Sequence, residues 1–185
     1  MIIERIHHFI GRIFLRQIHM ADHAERVHPG VGAPGGMERD VMMAEFLGGL
    51  GEDALNIFGA QFLLDGITID TVASDAFDGD FVKGLVVRSH FLSSVEDAVD
   101  VSGSRITVQD CTFTKIGDKA VSAGENSQVT VRDCVVESAS IGVAGKDFSQ
   151  VDVDGLDIQS TLNYGFAVYI NKAEFGPSTV VAKNV

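Results

Sequence analysis

The sequence predicts an all-β protein: a right-handed parallel β-helix of about five to six coils, preceded by a short α-helical N-terminal segment. Three observations predict it. Ser104, Ser127, Ser149 and Ser178 each stand two residues before an apolar residue that opens an alternating run, such as Ile106-Thr-Val108 or Val151-Asp-Val153. The serines recur at intervals of 23, 22 and 29 residues. Between them no segment holds about ten residues of helical periodicity, and the pattern of a leucine-rich repeat is absent, so each repeat is built from short strands and turns.

Residues 1–55 and 56–185 follow different rules. All five methionines and five of the six histidines fall in the first part. Ile2, Ile3, Ile6, Phe9, Ile10, Ile13 and Phe14 recur at helical spacing and predict an amphipathic helix to about His19. Pro29 to Gly36 is a linker, and Met37 to Leu50 reads as a second short helix ended by its glycines. His19 and His23 share a helical face. No third metal ligand is set by spacing, and His28 precedes Pro29 outside a helix, so a solvated or capping helix is the reading here. An amphipathic helix suits the open end of a β-array.

From Phe62 onward the coils can be laid over one another. Phe62, Gly84, Ile106, Val129, Val151 and Val180 start them; Leu64, Val86, Val108, Val131, Val153 and Ala182 follow at the second position beyond. Ile69, Phe91, Phe113, Val136 and Ile158 form a further row. A second strand in each coil carries Phe77, Val99, Val121, Val143 and Phe166 inward. Cys111 and Cys134, one period apart, are then stacked free thiols, because laterally paired parallel strands give poor disulfide geometry.

The outward rows of that second strand carry the candidate chemistry. One runs Asp78, Asp100, Ser122, Ala144, Ala167; the next runs Asp80, Ser102, Gly124, Lys146, Tyr169. Small residues here predict a shallow groove, acidic at one end, with Ser102 and Ser122 in its floor. Asp78 and Asp100 are expected to be about 5 Å apart, with Asp80 beside them, and Asp75 and Asp97 form a second stacked pair. Two like charges at that spacing repel by roughly 1 kcal/mol in water and several-fold more near a protein surface. Calcium on Asp78, Asp80 and Asp100 would offset this. So would solvation with raised pKa values, or bridging by Lys119. The last complete coil is longer than its neighbours; the extra residues fall between Tyr164 and Pro177 and carry Tyr169, Lys172 and Glu174. Such an excursion forms either the wall of a binding site or a tolerated loop.

The net charge of −12 excludes a phosphate-tracking nucleic-acid binder. No run of about 18 apolar residues exists, so no membrane span is expected. Met1 to Gly11 does not read as a signal peptide. The final strand, Val180 to Val185, is expected to continue in a longer parent chain or to meet another chain end to end.

The runs SDAFDGDFVKG (Ser74–Gly84), EDAVDVSGS (Glu96–Ser104), IGDKAVSAGENS (Ile116–Ser127), IGVAGKDFS (Ile141–Ser149) and NKAEFGPS (Asn171–Ser178) resemble the β-helix repeats of the pectin-lyase-like superfamily. They are similar in particular to a bacterial group associated with CotH-like, spore-coat-kinase-like proteins. The resemblance covers about residues 56–185. It implies an extracellular or periplasmic setting and a polysaccharide or protein surface as partner. It also implies a function: a non-catalytic, carbohydrate-binding or structural module of a surface or envelope protein. The alternative is a calcium-assisted polysaccharide lyase acting on uronate-containing glycans, with Lys146 as base, Tyr169 as acid, calcium on Asp78, Asp80 and Asp100, and substrate held by Ser102, Ser122, Lys172 and Glu174. No full catalytic motif of a characterised lyase or polygalacturonase is present.

Overall fold

A coil of about 22 residues must turn several times, and each turn needs backbone that leaves the extended region. In the computed structural model these turns are marked by recurring left-handed residues. One column is Gly66, Arg88, Asp110, Asp133 and Gly155, with φ between 49° and 75°. A second is Thr71, Ser93 and Lys115, with φ of 55–57°. A third includes Gly59, Phe81 and Gly103, with φ of 54–63°. Repeating the same bends at the same interval stacks the strands between them in parallel. The structure describes the strands Val41–Met42 and Glu45–Gly49 and residues 53–185.

The result is a parallel β-solenoid of about five turns with three faces. The first face stacks Val41–Met42, Gln61–Asp65, Lys83–Val87 and Arg105–Gln109, then the first halves of Gln128–Val136 and Gln150–Ile158, and finally Thr179–Lys183. The second stacks Glu45–Gly49, Thr68–Val72, His90–Ser94 and Thr112–Thr114 before joining the second halves of those two long strands. The third is a six-stranded sheet of Leu55–Phe58, Phe77–Asp80, Val99–Ser102, Ile116–Gly124, Ala139–Lys146 and Thr161–Tyr169. Every described pairing is parallel.

The expected rows are the observed register. Phe62, Gly84, Ile106, Val129, Val151 and Val180 are successive Cα partners. Ile69, Phe91, Phe113, Val136 and Ile158 are likewise stacked. Phe91 and Phe113 lie face to face, with centroids 5.3 Å apart and planes at 9°. Gly84 has a packing reason: a Cβ there would stand 2.5 Å from the Phe62 ring, so the glycine lets that ring fill the interior. Cys111 and Cys134 are free, buried and stacked as expected. The neighbouring Cys134 thiol, then burial, pushes the Cys111 thiol well above its usual range.

The serines have a defined task. The Ser104 N–H donates to Ser127 Oγ at 3.0 Å, Ser127 N–H to Ser149 Oγ at 3.1 Å, and Ser149 N–H to Ser178 Oγ at 3.1 Å. Val82 N–H begins the ladder by donating to Ser104 Oγ at 2.9 Å. At a tight corner the backbone N–H points along the stack and finds no sheet partner, so a hydroxyl from the next coil accepts it.

The N-terminal readings fare differently. The segment Met37–Leu50, which reads as a short helix, contains the strands Val41–Met42 and Glu45–Gly49, paired to Leu63–Leu64 and to Thr68–Val72. Pairing to a ready-made sheet edge overrides a weak helical periodicity. The amphipathic helix expected to about His19, and His19, His23 and His28 themselves, lie outside the described residues. No described helix is long and apolar enough to cross a membrane.

Candidate functional site

The third face positions the candidate residues. Its inward side is apolar: Phe77, Val99, Val121 and Val143 are almost fully buried and belong to the core. Alternation then turns Asp78, Asp100 and Ser122 outward, and the pairing makes them neighbours in successive coils: Asp78 opposes Asp100, and Asp100 opposes Ser122. In the parallel row Phe58 opposes Asp80, Asp80 opposes Ser102, Ser102 opposes Gly124, and Lys146 opposes Tyr169.

Lys146 lies across this face. Its Nζ is 3.4 Å from Asp100 Oδ1, two coils away. The path runs over Gly124: a Cβ built there would sit 2.9 Å from Lys146 Cε and 3.6 Å from Ser102 Oγ. The missing side chain is therefore what lets the lysine stem lie flat. Two polar atoms in this patch have neither solvent nor a hydrogen-bond partner, Asp100 Oδ1 and Ser122 Oγ. Ser122 is 0% exposed although it stands in an outward row.

The carboxylates feel one another. Burial, reinforced by Asp80, Asp53 and Asp100, raises the Asp78 pKa to about 7, against a hydrogen bond from Asn56. Asp80 is raised too, by burial and then by Glu125 and Asp100, with Lys172 opposing. Lys172 is ion-paired to Glu125, and that hydrogen bond first, with Glu174 among further charges, holds its ammonium above the usual lysine value.

Asp75 and Asp97 solve their repulsion differently. Each carboxylate accepts the backbone N–H one coil on: Asp75 Oδ1 from Asp97 at 2.7 Å, and Asp97 Oδ1 from Lys119 at 2.8 Å. Asp53 does the same for Asp75 at 3.4 Å. Lys119 ends the column, with its Nζ 3.0 Å from Asp97 Oδ1 and paired to Asp118 as well. Burial alone would discharge that ammonium, but Asp97 and Asp118 outweigh it and raise its pKa. Asp53 was not singled out from sequence, because it precedes the first coil legible there.

The excursion after Tyr164 is anchored by a residue that spacing alone did not single out as functional. Asp147, 1% exposed, accepts the N–H groups of Asn171 at 2.7 Å and Lys172 at 2.6 Å. This fixes Lys172 at the rim of the third face, where it reaches Glu125. The third face is also bordered by exposed aromatics. Phe81 and Phe148, 60% and 49% exposed, both occupy left-handed backbone, with φ of 54° and 65°. Phe81 meets the exposed Phe58 edge to face at 5.7 Å. A bulky residue in that conformation is uncommon and strained. Sequence inspection had no signal for it, since both phenylalanines resemble core residues until the turn is placed.

Ser102, Ser122, Lys146, Asp78, Asp80, Asp100 and Tyr169 are thus gathered on one face, while Lys172 and Glu174 stand in the excursion beside it. Among the described residues no group of three or more His, Cys, Asp or Glu side chains is arranged to hold a metal ion. Asn56 and Lys146 engage Asp78 and Asp100. No protein-family model, curated protein or solved structure matches this chain.

Proposed function

We propose that this solenoid is a non-catalytic module that binds carbohydrate along its third face. The observation that carries this reading is the outward row from Phe58 through Asp80, Ser102, Gly124 and Lys146 to Tyr169. Exposed aromatic rings stand at both ends, and carboxylate, hydroxyl and amine groups lie between. Apolar ring faces beside a few directed polar groups suit a polyhydroxylated chain, which offers both C–H faces and hydroxyls. The row spans five strand steps, about 24 Å, which suits an extended ligand.

Lys146, as the base of a lyase, would need to be free to take a proton. It lies 3.4 Å from Asp100, so acting as a base would first require it to leave that ion pair. Calcium on Asp78, Asp80 and Asp100 is an additive to be tested in the same assay. Titration of purified protein with neutral, uronate and amino-sugar oligomers, with and without calcium, tests the reading. Saturable binding that falls at least tenfold in Phe81→Ala with Phe148→Ala supports it. Absence of binding to every oligomer sinks it, and unsaturated product absorbing in the ultraviolet replaces it with the lyase.

A further inference from the structure

The third face holds a polar arrangement that its own residues leave incomplete. Ser122 lies between Val121 and Ala123, both in the core, so its hydroxyl projects to the opposite side of the strand, the side that carries Asp100. There it is fully buried and has no hydrogen-bond partner. Asp100 Oδ1, its register neighbour, is in the same condition. An unmade hydrogen bond at a buried acceptor is costly, and native structures rarely leave two side by side. The cation paired with it among the described residues, Lys146 Nζ, stops at 3.4 Å from Asp100 Oδ1, beyond good hydrogen-bond length. It reaches there only by crossing Gly124.

We propose that Asp100 and Ser122, flanked by Asp78, form a subsite for a primary ammonium group, supplied by an amino sugar of the bound glycan, and that Lys146 is an internal occupant displaced on binding. This rests on the carbohydrate-binding reading above and names its substrate class. An ammonium has three donors and no acceptor. The subsite offers a carboxylate oxygen and a hydroxyl oxygen, with the Asp78 carboxyl one strand step beyond Asp100. Acceptors one strand step apart, about 4.8 Å, can both lie within about 2.9 Å of one nitrogen. A calcium ion asks for six to eight oxygens, more than Asp100 and Ser122 supply. The surroundings favour a cation: Asp78, Asp80, Asp100 and Glu125 cluster here, with Lys146 paired to Asp100 and Lys172 to Glu125, and burial with neighbouring acids raises the Asp78 pKa. A flat face between aromatic rims suits a sugar chain more than a flexible lysine side chain.

The test compares three probes on the intact chain by calorimetry at pH 6.5: a glucosamine oligomer, its fully N-acetylated counterpart, and a lysine-rich peptide. The glucosamine oligomer should bind at least tenfold more tightly than the acetylated one. Asp100→Asn should remove that preference, while Lys146→Met, which vacates the subsite, should tighten glucosamine binding several-fold. Gly124→Ala, which pushes the lysine stem aside without touching the subsite, should act in the same direction as Lys146→Met. Unchanged melting temperatures establish that each variant is folded. Equal binding of both oligomers overturns the ammonium subsite and leaves the carbohydrate reading standing. Weaker glucosamine binding in Lys146→Met overturns the displacement. Binding of the peptide alone, lost in Asp100→Asn, overturns the glycan and assigns the subsite to a protein partner.

Discussion

Asp97 and Lys119 stand one coil apart, and the carboxylate of the first accepts both the backbone N–H and the ammonium of the second, at 2.8 and 3.0 Å. Both are buried, 4% and 8% exposed. Lys119→Met leaves Asp97 without its counter-charge. Breaking a buried pair from one side typically costs about 3–5 kcal/mol, while replacing both partners with apolar groups is near neutral. Urea unfolding should therefore show a large loss for Lys119→Met and a partial recovery in Asp97→Leu with Lys119→Met. The recovery will be incomplete, because Asp97 also serves the Lys119 backbone N–H.

The serine ladder repeats one interaction, a backbone N–H donated to the hydroxyl of the next coil, so its members should behave alike. Ser127→Ala removes the acceptor of the Ser104 N–H and the donor to Gly124 O and Val101 O. A buried donor left unpaired costs about 1–3 kcal/mol. Equilibrium unfolding should report a loss in that range, with a comparable loss for Ser104→Ala.

Asp147 holds the long excursion through two backbone N–H groups. Asp147→Ala should accelerate amide exchange at Asn171 and Lys172 by at least tenfold, with little change at Val131 or Val143. Asp147→Asn retains one acceptor oxygen and should preserve most of the protection. Exchange unaltered in Asp147→Ala would show that the excursion is held by other contacts.

The acid groups set a pH dependence. Asp75 and Asp78 are raised to about 7, mainly by burial. The folded chain then binds more protons than the unfolded chain between about pH 4 and pH 7, and stability falls as pH rises through that window. Both groups are partly exposed, so after solvent screening each contributes about 1 kcal/mol or less. Melting temperature should be several degrees higher at pH 5 than at pH 8. Asp78→Asn, which keeps an oxygen for Asn56, should flatten the profile and stabilise the protein at pH 8. A melting temperature that rises from pH 5 to pH 8 would contradict the burial of these carboxylates.

A solenoid is unusually legible because each coil repeats the constraints of the last. Interior rows, the strand–turn rhythm and the stacked thiols all follow from periodicity, since an apolar residue at a fixed interval meets its own equivalent above and below. The outward rows of the third face followed from the same alternation. Other features depended on contacts that spacing does not encode. The strands Val41–Met42 and Glu45–Gly49 exist because a neighbouring edge pairs with them. Asp53 joins the acid column because the pairing of Leu55–Phe58 with Phe77–Asp80 brings it beside Asp75.

By itself, then, the sequence determined the coil length, the inward rows and which face carries acids beside small residues, because these depend only on the period and on strand alternation. Tertiary structure alone decided how charge is arranged on that face. Whether Asp75 repels Asp97 or accepts its N–H, and whether Lys146 stands free or crosses Gly124 to Asp100, turns on side-chain direction. Differences of a few ångströms in the positions of charges and donors change those energies by more than the spacing of residues can reveal.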